Sequence, residues 1–251
     1  MAEPLSPATP DAASALFTVL LTLTPEALEQ ALSAEPKMAA PLVQAAAEVG
    51  LAEGQVRLGR MLLEGVGLPR DQQAAFRWFH RAAEQGHVEA WNMLGRCLEN
   101  GWGVVPDFAQ AAHWFARAAE AGDAWAQYNL GHLYLNGQGV DRDPVTAVAW
   151  YRAASDQGHA RAMNLMGRCC EQGWGAPKDP EAAARWYRLS AEGGYFRGQF
   201  NHASVLIAQG RQDEARTWLQ AAIAQAPAAS RSLMIEVGAK AWGLDGIAPA
   251  A

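Results

Sequence analysis

Along this chain small and apolar residues fall at helical spacing in short runs, and glycines interrupt those runs at regular distances. In the block that opens at Gly122 the first run is Ala124, Ala126, Leu130, Leu133 and Tyr134, which places one apolar stripe on a helix. Gly137 and Gly139 follow and predict its end, because glycine takes the left-handed φ of a helix terminus without a Cβ penalty. Asp143 then reads as an N-cap and Pro144 as a first helical residue, where its missing N–H costs nothing. The second helix carries Ala147, Trp150, Tyr151 and Ala154, so its indole and phenol are expected on the face turned to the first helix and the next repeat.

This helix–turn–helix pattern returns with a fixed period. Gly50, Gly86, Gly122, Gly158 and Gly194 recur every 36 residues, each of the first four followed by an interior glycine (Gly59, Gly95, Gly131, Gly167), a loop glycine pair, an Asp and a Trp. A glycine inside a helix costs roughly 1 kcal/mol relative to alanine. Its recurrence therefore predicts close packing against a bulky aromatic, Trp150 in the case of Gly131. A period of this size marks a solenoid, in which each unit buries its apolar face only by stacking on its neighbours.

The organisation expected is an N-terminal helical cap with a half-repeat over residues 1–49, four repeats over 50–193, a degenerate fifth over 194–226, and a capping helix and tail over 227–251. In the half-repeat Leu42 and Val43 replace the aromatic pair. In the fifth block Ala203 replaces the interior glycine and Gly210 makes a tighter turn. Beyond Pro227 a last amphipathic helix is expected over residues 230–242.

Composition narrows the function. With a formal net charge of −6 and no block that gathers Lys and Arg, nucleic acid is a poor partner. The apolar stretch over residues 12–23 is too short to span a bilayer, and the first basic residue is Lys37. That stretch reads as a helix of the folded protein, and a cytoplasmic location with no membrane insertion is expected. Cys97 and Cys169 share a repeat position with Met61, Leu133 and Val205, so they read as reduced core thiols, as does Cys170.

The phrases AQYNLGHLYLNGQGV (residues 126–140) and AVAWYRAASDQG (residues 147–158) closely resemble the Sel1-like repeat, a relative of the tetratricopeptide repeat, and the resemblance extends over about residues 41–222. It implies an all-α fold, a right-handed superhelical solenoid of antiparallel helix pairs. The function it implies is that of a bacterial adaptor or scaffold for protein–protein interaction, without catalytic residues or cofactor. It also implies that the first helix of each repeat lines the concave side. Residues six and ten beyond each opening glycine lie on one helix face, which yields Arg60, Asn92, Arg96, Tyr128, His132, Asn164 and Arg168, with Trp125 from position three nearby. Asparagine grips an extended backbone and arginine offers a fork for carboxylate, so an acidic segment or a free C-terminus is the expected partner. The alternative for Arg96 and Arg168 is pairing with Glu99 and Glu171 one turn on. Trp102 and Trp174 stand in loops, either as partner anchors or folded over their own helix ends.

Two other classes remain. The histidines, His80, His87, His113, His132, His159 and His202, show no zinc-site spacing, and no nucleophile elbow, Walker loop or dinucleotide fingerprint occurs, so no metal or catalytic set is assigned. His132, near Arg96 and Arg168, is a candidate small-molecule site, and a hydrolase or small-molecule (β-lactam-like) binding protein is the alternative the family resemblance carries. Self-association through Trp102, Trp174 or the final helix is the third.

Overall fold

The structure, a computed structural model, describes residues 36–244 of the chain. The helix expected over residues 12–23, and the tail beyond 244, lie outside the described residues. Twelve helices and no strand occur among the described residues. They form two compact units divided between Ala121 and Gly122. The first unit holds α1 (Pro36–Glu48), α2 (Ala52–Glu64), α3 (Gln72–Glu84), α4 (Val88–Asn100) and α5 (Phe108–Glu120). The second holds α6 (Ala124–Asn136), α7 (Pro144–Asp156), α8 (Ala160–Gln172), α9 (Pro180–Glu192), α10 (Phe196–Ala208), α11 (Gln212–Gln225) and α12 (Ala228–Lys240). Within each unit every helix packs on the next, and the architecture is an all-α repeat solenoid.

Local chemistry sets the helix boundaries. Asp71, Asp107, Asp143 and Asp179 are the N-caps of α3, α5, α7 and α9, and each accepts a hydrogen bond from a first-turn amide, as from Ala74 at 2.8 Å and Gln110 at 2.9 Å. Gly65, Gly101, Gly137 and Gly173 close α2, α4, α6 and α8 in the left-handed region, with φ from 69° to 76°. The second loop glycine has a further reason at two positions. A Cβ on Gly103 would overlap the Gln72 carbonyl, and one on Gly175 the Pro144 carbonyl, because each loop crosses the start of the preceding repeat's second helix.

Packing inside a repeat is ring against glycine. A Cβ at Gly59, Gly95, Gly131 or Gly167 would lie 2.6, 2.5, 2.8 or 2.5 Å from the ring of Phe79, Phe115, Tyr151 or Tyr187. The partner of Gly131 is thus Tyr151 and not Trp150, which corrects the expectation from sequence. Tyr151 is fully buried, and Trp150 one residue earlier is turned by a helical step to a half-buried position. The half-repeat keeps the same geometry, with Val43 fully buried where the ring would be and Leu42 half-buried.

The fifth block ends α10 at Ala208 and turns at Gly210, φ 75°. The last helix runs Ala228–Lys240, beginning directly after Pro227 and two residues earlier than expected. It is held by Met234 in the terminal core and by stacking of Trp242 on Phe200, ring centroids 5.1 Å apart. All three cysteines are free and buried.

Two stability outcomes follow. Tyr151→Ala should cost about 3–5 kcal/mol, the range for a buried aromatic, and Gly131→Val should also lower the melting temperature, while Trp150→Ala should cost clearly less. Equal melting temperatures for Tyr151→Ala and Trp150→Ala in calorimetry would refute this packing. Burial pushes the Cys97 thiol up to about 12 and the Cys169 thiol to about 11, so both should resist thiol reagents until the protein is unfolded.

Candidate functional site

The exposed faces of the first helices differ between the two units. In the first unit position three carries carboxylates and position ten carries arginines. Arg60 on α2 pairs with Glu89 on α4, and His87 meets Glu53 at 3.2 Å. The Arg96 guanidinium lies over the Trp102 ring, 5.0 Å from its centroid. The carboxylates at position three of this unit are thus engaged by Arg60 and His87.

In the second unit the same positions carry no carboxylate. Position three is Trp125 on α6, Arg161 on α8 and Arg197 on α10, and position ten adds His132 and Arg168. Arg161 stacks on Trp125 at 5.0 Å and on Tyr195 at 5.5 Å, Arg168 on Trp174 at 5.2 Å, and Arg197 on Phe196 at 5.7 Å. None of these three arginines has an ion-pair partner among the described residues. Glu171, the carboxylate one turn beyond Arg168, instead accepts a hydrogen bond from the Tyr187 hydroxyl at 3.0 Å. Stacking holds a guanidinium in place while leaving its N–H groups for an acceptor.

These arginines border a cavity of about 380 Å³. Its walls come from α6 (Tyr128, His132), α8 (Arg161, Asn164, Arg168), the start of α10 (Phe196, Arg197, Phe200) and α12 (Leu233, Met234). No Asp or Glu lines it. Asn201 Nδ2 donates to Asn164 Oδ1 at 2.8 Å on its floor.

The sequence-derived set is therefore split. Tyr128, His132, Asn164 and Arg168 come together at this cavity, while Trp125 stands beside it, 46% exposed and edge-on to His159. Arg60, Asn92 and Arg96 belong to the first unit. Asn92 and Asn164 are buried, at 6% and 4% exposure, so neither presents an open amide edge to solvent as the spacing implied; position six faces inward more than position ten. Of the two arrangements open to Trp102 and Trp174, the structure has each half-buried against the core of its own unit, with the Arg96 and Arg168 guanidiniums over the rings. Arg197, Phe196, Phe200, Leu233 and Met234 were not assigned from sequence. Arg197 was within reach, since position three counts on from Gly194 into the irregular fifth block.

His159, the N-cap of α8, accepts the Ala162 amide proton at Nδ1, 3.2 Å, and its ring lies 4.5 Å from Trp125 and 5.1 Å from Tyr128, centroid to centroid. Burial, with Arg161 adding like charge, holds its pKa down at about 4. Burial and then Arg168 also lower His132, so the cavity keeps a neutral imidazole beside its guanidiniums. Among the described residues no group of three or more His, Cys, Asp or Glu is placed to hold a metal ion, and no helix is long and apolar enough to cross a membrane.

The arrangement defines an α-helical repeat protein. A profile of the Sel1 repeat matches residues 52–87, 88–123, 126–159 and 160–195, and the chain belongs to the Sel1 repeat family. Sel1 repeat proteins generally mediate protein–protein interaction. Comparison with curated proteins gives no match. Among solved structures, a Sel1 repeat protein from Oxalobacter formigenes is 27% identical, with 87% of this chain and 93% of that one covered and a TM-score of 0.76. The protein c5321, a protective antigen of uropathogenic Escherichia coli with an SLR fold, is 25% identical at a TM-score of 0.69; 95% of this chain is covered, and it spans only 51% of that one. The immunity protein Pa5087 of Pseudomonas aeruginosa shares the fold at 18% identity, TM-score 0.53, with 69% and 66% covered.

The depressed histidine has a measurable consequence. An unfolded histidine titrates near 6.5, so between about 6.5 and about 4 the unfolded chain binds a proton that folded His159 refuses. Its contribution to stability is complete above pH ~6.5 and is lost as pH falls toward ~4. The melting temperature should therefore drop across that window, and His159→Asn, which keeps a capping oxygen, should flatten the drop. An NMR titration that finds the His159 ring protonating near its ordinary value would refute the assignment.

Proposed function

We propose that this chain is a non-catalytic adaptor that holds a segment of a partner protein against the exposed face of its first helices, and that the second unit supplies the principal contact. The observation that supports this reading is the change of charge at one repeat position, from Glu53 and Glu89 in the first unit to Arg161 and Arg197 in the second. The Arg161, Arg168 and Arg197 guanidiniums stand pre-positioned over aromatic rings, without an ion-pair partner among the described residues. Such a face complements an anionic protein segment: fixed forks bind carboxylate with little further loss of side-chain freedom. The work of such a protein is to bring chains together.

Affinity capture from an extract of the native cell tests this. Wild type should retain a partner that Arg161→Glu/Arg168→Glu loses while keeping the wild-type circular dichroism spectrum and melting temperature. Arg60→Glu, on the matched face of the first unit, should leave capture unchanged. A partner retained equally by the folded double variant would remove the second unit's face from the contact.

A further inference from the structure

The cavity of the second unit combines three features that an extended acidic stretch would not need together. Arg161, Arg168 and Arg197 supply positive charge without a counter-ion at its rim. Phe196, Phe200 and Leu233 supply an apolar wall, Leu233 being 60% exposed although it is a large aliphatic side chain. Beside them lies the Asn164–Asn201 amide pair, of which the half-buried Asn201 keeps its carbonyl oxygen for a peptide N–H. Charge, backbone and apolar contacts therefore converge within about 380 Å³, the low end of the ~300–1,000 Å³ of ligand pockets. That volume holds the end of a chain and not a folded element.

The fourth wall decides between a chain end and a chain interior. α12 begins directly after Pro227 and places Leu233 and Met234 across the cavity from α8. An internal segment has to enter and leave, whereas a terminus has only to enter. In a C-terminal residue the carboxylate and the side chain leave the same Cα, which suits one pocket with a cationic side and an apolar side.

We propose that this cavity binds the free carboxyl terminus of a partner protein, the terminal carboxylate at Arg161 and Arg197, with Arg168 about two turns further along α8 adding positive charge, and an apolar last side chain against Phe196, Phe200 and Leu233. The proposal rests on the adaptor reading above and names the recognised element. It differs from binding of acidic side chains within a segment, and from binding of a free small anion, in requiring both the α-carboxylate and the apolar side chain.

The test uses the full chain, fluorescently labelled, on an array of short peptides whose last few positions are randomised, each presented with a free carboxyl terminus and as the C-terminal amide. Binders should end in an apolar residue, and amidation should weaken them about tenfold or more, as expected when one charge-assisted contact is lost. Arg161→Gln and Arg197→Gln should give the same loss with unchanged melting curves, and Leu233→Asp should redirect the choice of last residue. Equal binding of free and amidated peptides would overturn the proposal in favour of internal acidic segments. Competition by inorganic phosphate with no preference for the last residue would overturn it in favour of a simple anion site, and an array without binders would overturn it outright. In each of those cases a partner captured by wild type and lost by Arg161→Glu/Arg168→Glu leaves the adaptor reading standing; failure of capture as well would remove both.

Discussion

The contact on which each repeat depends is an aromatic ring seated on a helical glycine. Phe79, Phe115, Tyr151 and Tyr187 are almost wholly buried, and each occupies the volume that a Cβ on Gly59, Gly95, Gly131 or Gly167 would need. A helical glycine costs roughly 1 kcal/mol, while loss of a buried aromatic side chain costs about 3–5, so the exchange favours the pair. It also sets how closely the two helices of a repeat approach. With that distance fixed, the loop glycines and the Asp caps have little freedom in where they fall. This accounts for a period kept at 36 residues over four copies.

That constraint explains which parts of the fold were legible. Helix ends were, since left-handed φ at Gly65, Gly101, Gly137 and Gly173 and the caps at Asp71 to Asp179 depend on backbone chemistry local in sequence. The partner of the interior glycine was not. Trp150 and Tyr151 are adjacent and both border the apolar stripe, and one helical step of about 100° decides which ring faces inward. Tyr151 takes that place and leaves Trp150 at the margin. Rotation also accounts for Asn92 and Asn164: residues four apart share a face, but position six lies nearer its buried edge than position ten, as Val56 at 1% exposure shows in the first repeat.

The candidate site was legible only in part because its strongest elements come from the irregular end of the chain. Tyr128, His132, Asn164 and Arg168 follow from repeat arithmetic. The apolar wall comes from α10 and α12, where the pattern breaks at Ala203 and Pro227 and spacing no longer predicts facing. The loop tryptophans were open to two readings in sequence, and contacts from i to i+6, Arg96 to Trp102 and Arg168 to Trp174, run from the helix into its closing turn and keep each ring at its own helix end. Those rings orient guanidiniums rather than reach outward.

Because position three is not buried in any repeat, it is free to change charge at little cost to the fold. Position three uses that freedom, running Glu53, Glu89, Trp125, Arg161, Arg197 along the chain. The whole chain has a net charge of −6, so its long-range field would repel an acidic partner rather than steer it. The recognition proposed for the second unit would then come from short range: guanidiniums already held on Trp125, Tyr195, Trp174 and Phe196, at a cavity that no carboxylate lines. Pre-organisation of this kind lowers the entropic cost of binding at the moment of contact. It favours a compact anionic group that can enter the cavity over a broad acidic surface that would meet the rest of the protein's negative charge.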